Sequence, residues 1–197
     1  GGTANFTVVL NSEPTSDVII DLSSLDTTEG TVSPASLTFT AGNWNVPQTV
    51  IVTGVNDDVV DGNIAYSIMT AAATSTDTNY NGQNAADVSV TNTDNDAIGI
   101  TVSSISGSTT EAGGVATFTV VLNTLPSANV TIGLSSSDLT EGTVSPASVT
   151  FTTANWNIPQ TVTVTGVNDV IIDGNIAYTI ITAAASKYRS FIPLILA

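Results

Sequence analysis

The residues of this chain that could do chemistry are carboxylates, and they gather in turns. The clearest group is Asn56-Asp57-Asp58-Val59-Val60-Asp61-Gly62, echoed by Asn168-Asp169-Val170-Ile171-Ile172-Asp173-Gly174. Asp26 with Glu29, Asp138 with Glu141, Asp77, the pair Asp94 and Asp96, and Glu111 are the other acidic positions that stand out. Calcium takes about six to eight oxygens from carboxylates, carbonyls and amides, so carboxylates carried on turns suit it. The competing explanation is that Asp and Asn are favoured turn formers in their own right. Other chemistry is sparse. With no His and no Cys, Ser/His/Asp and Cys/His nucleophiles and His-ligated zinc are impossible. A glycosidase-like carboxylate pair is compatible with the composition. Yet the carboxylates recur with a repeated module, as scaffold features do, and the expectation is a protein that is not an enzyme.

The elements that must position these turns are duplicated. Gly1–Ala73 reappears at Gly113–Ala185 with an offset of about 112 residues, no gap, and roughly seven identical residues in ten. Each copy is a series of short alternating runs rich in Val, Ile, Thr and aromatics. In the first copy these are Phe6–Leu10, Val18–Leu22, Leu37–Phe39, Val50–Val52 and Ile64–Ile68. In the second they are Phe118–Leu122, Val130–Leu134, Val149–Phe151, Val162–Val164 and Ile176–Ile180. Turn-forming stretches separate them, at Asn11–Pro14, Gly30–Pro34, Gly42–Asn45 and Asn56–Gly62. The pattern predicts an all-β protein of two tandem antiparallel Greek-key β-sandwiches, immunoglobulin-like in architecture. The boundaries expected are 1–96 for the first domain, 97–185 for the second and 186–197 for an apolar tail. The junction at Asp94-Asn95-Asp96 carries no Pro/Gly/Ser spacer, which predicts a tight joint.

Charge narrows the partners. There are 17 acidic residues against two basic ones, a formal net charge of −15. Both cations, Lys187 and Arg189, lie in the tail, so residues 1–186 carry no positive side chain. Such a body has nothing to replace phosphate counterions and should not bind nucleic acid. It suits divalent cations or plain solubility. The apolar run Phe191–Ala197 is far too short to span a bilayer, so no transmembrane segment is expected. The absence of Cys fits either side of a membrane. A trypsin-like protease finds no cleavage residue before Lys187, which suits life outside the cell. The chain opens on Gly-Gly rather than Met, so a processed chain or a piece of a longer one is expected.

The order EGTVSPASLTFTAGNWNVPQTVIVTGVNDDVVDG…AYSI…DVSVTNTDND resembles Calx-beta-type repeats of bacterial surface proteins and large adhesins. Both copies share the resemblance, carried best by the LTFT–NWN–PQTVTVTGVND hairpin and the DxD ending. It implies two antiparallel sheets in a sandwich, with calcium at one pole near the domain junction. The family's acidic positions carry over onto Glu111, onto Asp26 and Asp138, onto Asp57, Asp58 and Asp61 with Asp169 and Asp173, and onto the closing Asp94 and Asp96. The copies depart from that pattern. The first has no counterpart of Glu111, the second has no closing Asp pair, and Val170 stands at the counterpart of Asp58. Calcium is therefore expected to be weak, shared across a junction, or absent from one domain.

Two further features have competing explanations. Trp44 and Trp156 sit in equivalent NWN turns; they either stack on a sugar or, as the favoured reading, cap the sandwich edge with the indole N–H bonded to backbone. The sequons at Asn5 and Asn129 lie in or beside strands and read as chance. The ends of the copies carry more weight. The segment Ala97–Ala112 precedes only the second copy, and Asp87–Thr91 follows only the first. Each domain thus lacks one strand, leaving a groove bordered by unpaired backbone. Phe191, Ile192, Leu194, Ile195 and Leu196 form the candidate filler, closing their own domain or inserting into the next subunit to give a head-to-tail polymer. A sorting or anchoring signal is a third reading of the tail. The function expected is a secreted, cell-surface structural or adhesive protein, a filament or stalk element stiffened by calcium. The alternative is a module that binds carbohydrate or a surface protein.

Overall fold

The computed structural model describes residues 1–172 and 174–185. The tail residues Phe191, Ile192, Leu194, Ile195 and Leu196, and Asp173, lie outside the described residues. The chain forms two compact units. One comprises Gly1–Asp57 with Asp61–Asn95, the other Asp58–Val60 with the chain from Asp96 onward. All regular structure among the described residues is β, and all strand pairs are antiparallel.

The first unit contains β1 (Thr3–Val8), β2 (Val18–Ser24), β3 (Gly30–Ser33), β4 (Ser36–Phe39), β5 (Gln48–Gly54), β6 (Ile64–Thr70), β7 (Thr74–Ser75) and β8 (Val88–Asn92). Its first sheet runs β1-β5-β3, and its second runs β4-β2-β6-β8 with β7 also on β2. The second unit contains β9 (Ile100–Val102), β10 (Val115–Leu122), β11 (Val130–Ser136), β12 (Gly142–Ser145), β13 (Ser148–Phe151), β14 (Gln160–Gly166) and β15 (Ile180–Thr182). Its sheets run β12-β14-β10-β9 and β13-β11-β15. Register repeats with the sequence: Phe6 lies opposite Val50, and Phe118 opposite Val162.

Alternation decides which face is buried, because successive side chains in a strand point to opposite sides. Val18, Ile20 and Leu22 of β2 point inward while Ile19 and Asp21 face water. From the opposite sheet Val50 meets them, with Phe6, Val8 and Val32 packed against the same cluster. Phe39 and Phe151 are fully buried at equivalent places. Two antiparallel sheets sharing one core in each unit are consistent with a β-sandwich. A buried side chain of this size contributes roughly 1.5–3 kcal/mol over an exposed one.

Three expectations meet a different local structure. The stretch Gly30–Pro34, read as a turn, forms strand β3 as far as Ser33, because Thr31 and Val32 can pair with Thr53 and Val52 of β5. The polar loop from Thr74 contributes a short strand, Thr74–Ser75, against β2. The run Ile176–Ile180 is strand only from Ile180, paired with β11 as far as Thr182. That shortening has a cause in the sheet: β6, the equivalent in the first unit, has β8 along its other edge, and β15 has no strand there among the described residues.

Candidate metal centre

One pole of the first unit gathers three carboxylates. An oxygen from each of Glu29, Asp57 and Asp61 lies within 4.8 Å of the other two. Glu29 is buried, at 8% exposure, whereas Asp57 and Asp61 are exposed. Like charges this close repel by roughly 1 kcal/mol per pair even at the dielectric of water, and by more where one is buried. The sequence supplies no cation before Lys187 to relieve them.

Glu29 sits just before β3, and its position follows from backbone pairing. Its carbonyl accepts the N–H of Val55 at 2.9 Å, which ties it to the end of β5. Asn92, the last residue of β8, donates from Nδ2 to Glu29 Oε2 at 3.1 Å and to the Val55 carbonyl at 2.7 Å. One amide therefore joins the ends of both sheets at the carboxylate. Gly30 lies against the ring of Tyr66, which a Cβ would displace. Burial, and next the charge of Glu29, push the Tyr66 phenol up, so it stays protonated beside the carboxylate. Asp94 secures the acidic turn: its Oδ2 accepts the Gly62 N–H at 2.8 Å, and its own N–H donates to Asn63 Oδ1 at 3.0 Å. Gly62 adopts a φ of 81°, which favours glycine.

The other acidic residues do different work. Asp26 accepts from Thr28 N at 3.0 Å and Thr28 Oγ1 at 2.6 Å, and Asp138 repeats this with Thr140 at 2.9 and 2.6 Å. Hydrogen bonds from the threonine side chain first, then its backbone N–H, hold both aspartates below the ordinary carboxylate range. Each is a turn former whose oxygens are engaged locally. Asp77 is buried and accepts from Thr15 N and Asn79 N at 2.8 and 2.9 Å. The Thr15 backbone bond is the main cause of its lowered pKa. Asp58 is exposed beside Asp57 and outside the triad. Asp96 is half-buried and opens the second unit. Glu111 is exposed in the turn that leads to Gly114. In the second unit Asp169 is exposed and accepts the Ile171 N–H at 2.8 Å. Glu141 is half-buried. Among the described residues no second group of three carboxylates comes together.

The donor set at Glu29, Asp57 and Asp61 is all oxygen, with no nitrogen or sulfur. That chemistry fits a hard cation such as calcium or magnesium and not zinc. Three carboxylates fall short of the six or more oxygens calcium takes, so backbone carbonyls or water would complete the shell. Glu29 and Asn92 escaped the motif-based set. Glu29 was visible only as a neighbour of Asp26, and Asn92 lies within an alternating strand.

Both tryptophans are half-buried and pack against the cores. Their backbone carbonyls accept the N–H of Leu10 and of Leu122, each at 3.1 Å. No helix among the described residues is long and apolar enough to cross a membrane. Scanned against protein-family models the chain has no match, and a search of curated proteins finds none.

Proposed function

We propose that this chain is a non-enzymatic extracellular structural or adhesive protein, a segment of a cell-surface stalk or filament. It is built of two tandem Greek-key sandwiches of Calx-beta type, joins its neighbours by strand donation, and is stiffened by calcium at Glu29, Asp57 and Asp61. The observation that carries this reading is the pair of open edges. Among the described residues, β1 is paired on one side alone in the first unit and β15 on one side alone in the second. Open strand edges are templates for pairing with another chain. A contact between unlike edges of successive subunits grows as a filament when its rotation does not close a ring. The triad supports calcium through its all-oxygen donors and unrelieved negative charge. The lack of any His or Cys supports a non-catalytic role.

The alternative, a carbohydrate- or protein-binding module, draws less support, because Trp44 and Trp156 pack inward against their cores. Negative-stain microscopy and size-exclusion chromatography of the full chain test the filament. Fibres that disappear on deleting Phe191–Ala197 are expected; a monodisperse monomer with the tail intact refutes it. For calcium, a millimolar addition should raise the melting temperature of the first unit, reversed by chelator. Binding at a hundredfold excess over Kd would stabilise by about 2.7 kcal/mol. Glu29→Gln should abolish that shift, and an unchanged shift in this variant refutes the site.

A further inference from the structure

We infer that the open edge of β1 is a receptor for one kind of strand, an extended segment with the residue pattern of Ile98–Ser106 supplied by another repeat of this type. This deepens the strand-donation reading by naming the donor. The second unit holds the bound state within itself. There β9 lies along β10, with Ile100, Thr101 and Val102 opposite Leu122, Val121 and Val120. Past β9 the pairing continues irregularly: Ser103 N donates to the Thr119 carbonyl at 2.9 Å, and Ser106 N to the Thr117 carbonyl at 2.9 Å. The serine hydroxyls then accept from Thr119 N at 2.9 Å and Thr117 N at 2.8 Å. Each outward-facing backbone group of Thr117 and Thr119 is thereby satisfied.

The receptor surface exists in both units with nearly the same residues: Phe6-Thr7-Val8-Val9-Leu10 and Phe118-Thr119-Val120-Val121-Leu122 are identical. Only their cover differs. Ala116 and Val120 are wholly buried and Phe118 is 7% exposed. Their counterparts Ala4, Phe6 and Val8 are exposed or half-buried. The strand itself is longer where it is covered, reaching Leu122 in β10 but ending at Val8 in β1. A cavity of about 510 Å³ opens beside this edge, lined by Thr3, Ala4, Val52, Tyr66, Val90 and their neighbours. In the second unit the Tyr66 counterpart, Tyr178, has its phenol 2.7 Å from Thr109 Oγ1, on the same covering segment. Transferring the observed register places the donor's Ile100, Thr101 and Val102 opposite Leu10, Val9 and Val8. The two serines would then serve Thr7 and Asn5.

The test is a titration of the isotope-labelled full chain with a synthetic peptide of residues 97–112, followed by amide NMR. Saturable shifts at Asn5, Thr7 and Val9 are expected, with amide exchange there slowed at least tenfold. The same peptide N-methylated at Ser103 should bind at least tenfold more weakly, because it loses the bond to the Thr7 carbonyl. A second peptide, residues 187–197, should neither shift these amides nor displace the first. No shifts at millimolar peptide, shifts confined to the second unit, equal binding of the methylated peptide, or preference for the tail peptide would each overturn the assignment. Microscopy of the same samples separates the two ideas. Peptide binding by a chain that never forms fibres retains this inference and removes the filament. Fibres without peptide binding do the reverse.

Discussion

Gly62–Tyr66 and Gly174–Tyr178 carry the same five residues, GNIAY, and fold differently. In the first unit strand β6 begins at Ile64, pairs along Val88–Asn92, and leaves Tyr66 only 7% exposed. In the second unit the same residues lie outside any strand, Ile176 is 43% exposed, and Tyr178 is half-buried. The glycine turn ahead of them is unchanged, with φ of 81° and 80°. Local conformation is thus conserved while strand formation is not. A mirror-image contrast runs along the first sheet, where Val9 and Leu10 lie outside β1 but Val121 and Leu122 extend β10 beside β9. In both cases the neighbouring strand, and not the residues themselves, decides. Strand propensity is a statement about fitting against neighbours.

The sharpest way to break this comparison is to cut the same side chain from both units. Phe118→Ala should destabilise the second unit by about 3–5 kcal/mol, as for a fully packed aromatic. Phe6→Ala should cost about half of that or less, since half-buried surface is already wet. Denaturant unfolding of each unit reads both values, and equal losses would mean that the β1 edge is covered in solution. The glycines give the next test. A Cβ at Gly30 or at Gly142 collides with a tyrosine ring, Tyr66 or Tyr178. Tyr66 is fixed between paired strands, so Gly30→Ala should cost about 2–3 kcal/mol through overpacking. Tyr178 can yield, and Gly142→Ala should cost less than about 1.5 kcal/mol on the same scale.

Smaller effects sharpen the contrast at the rims. Ser12 exchanges hydrogen bonds with Tyr80, its Oγ 2.7 Å from the phenol. Its counterpart Thr124 is buried at 2% exposure, and its hydroxyl has no partner among the described residues. Ser12→Ala should therefore destabilise by about 1 kcal/mol, and Thr124→Val should be neutral or stabilising by up to about 1 kcal/mol. Thermal melts with opposite signs at these equivalent positions would support the contrast. The smallest effect per residue is that of pH. Asp26 and Asp77 in the first unit, and Asp138 in the second, have lowered pKa values. Their stabilisation is complete above the ordinary aspartate value and is lost as pH falls below about 4. The first unit should lose more, having two such groups, and Asp77→Asn should bring the acid transitions of the two units together.

The chain by itself determined the repeat, the β class and the turn positions, because alternation of apolar residues and the preferences of Gly, Pro, Asn and Asp act over a few neighbours. Val18–Ser24 and Gln48–Gly54 were legible in this way. So were the acidic turns at Asp57–Gly62 and Asp169–Gly174. Tertiary structure alone decided how far each strand runs and which carboxylates meet. Glu29 and Asp57 are distant in sequence and come together only because β3 and β5 pair with Gly30 opposite Gly54. Asp26, three residues from Glu29, turns instead to Thr28. A turn is closed by bonds within itself, whereas a strand edge and a metal-binding pole depend on hydrogen bonds to partners far along the chain. Where those partners differ, as at Gly62–Tyr66 and Gly174–Tyr178, identical residues reach different structures.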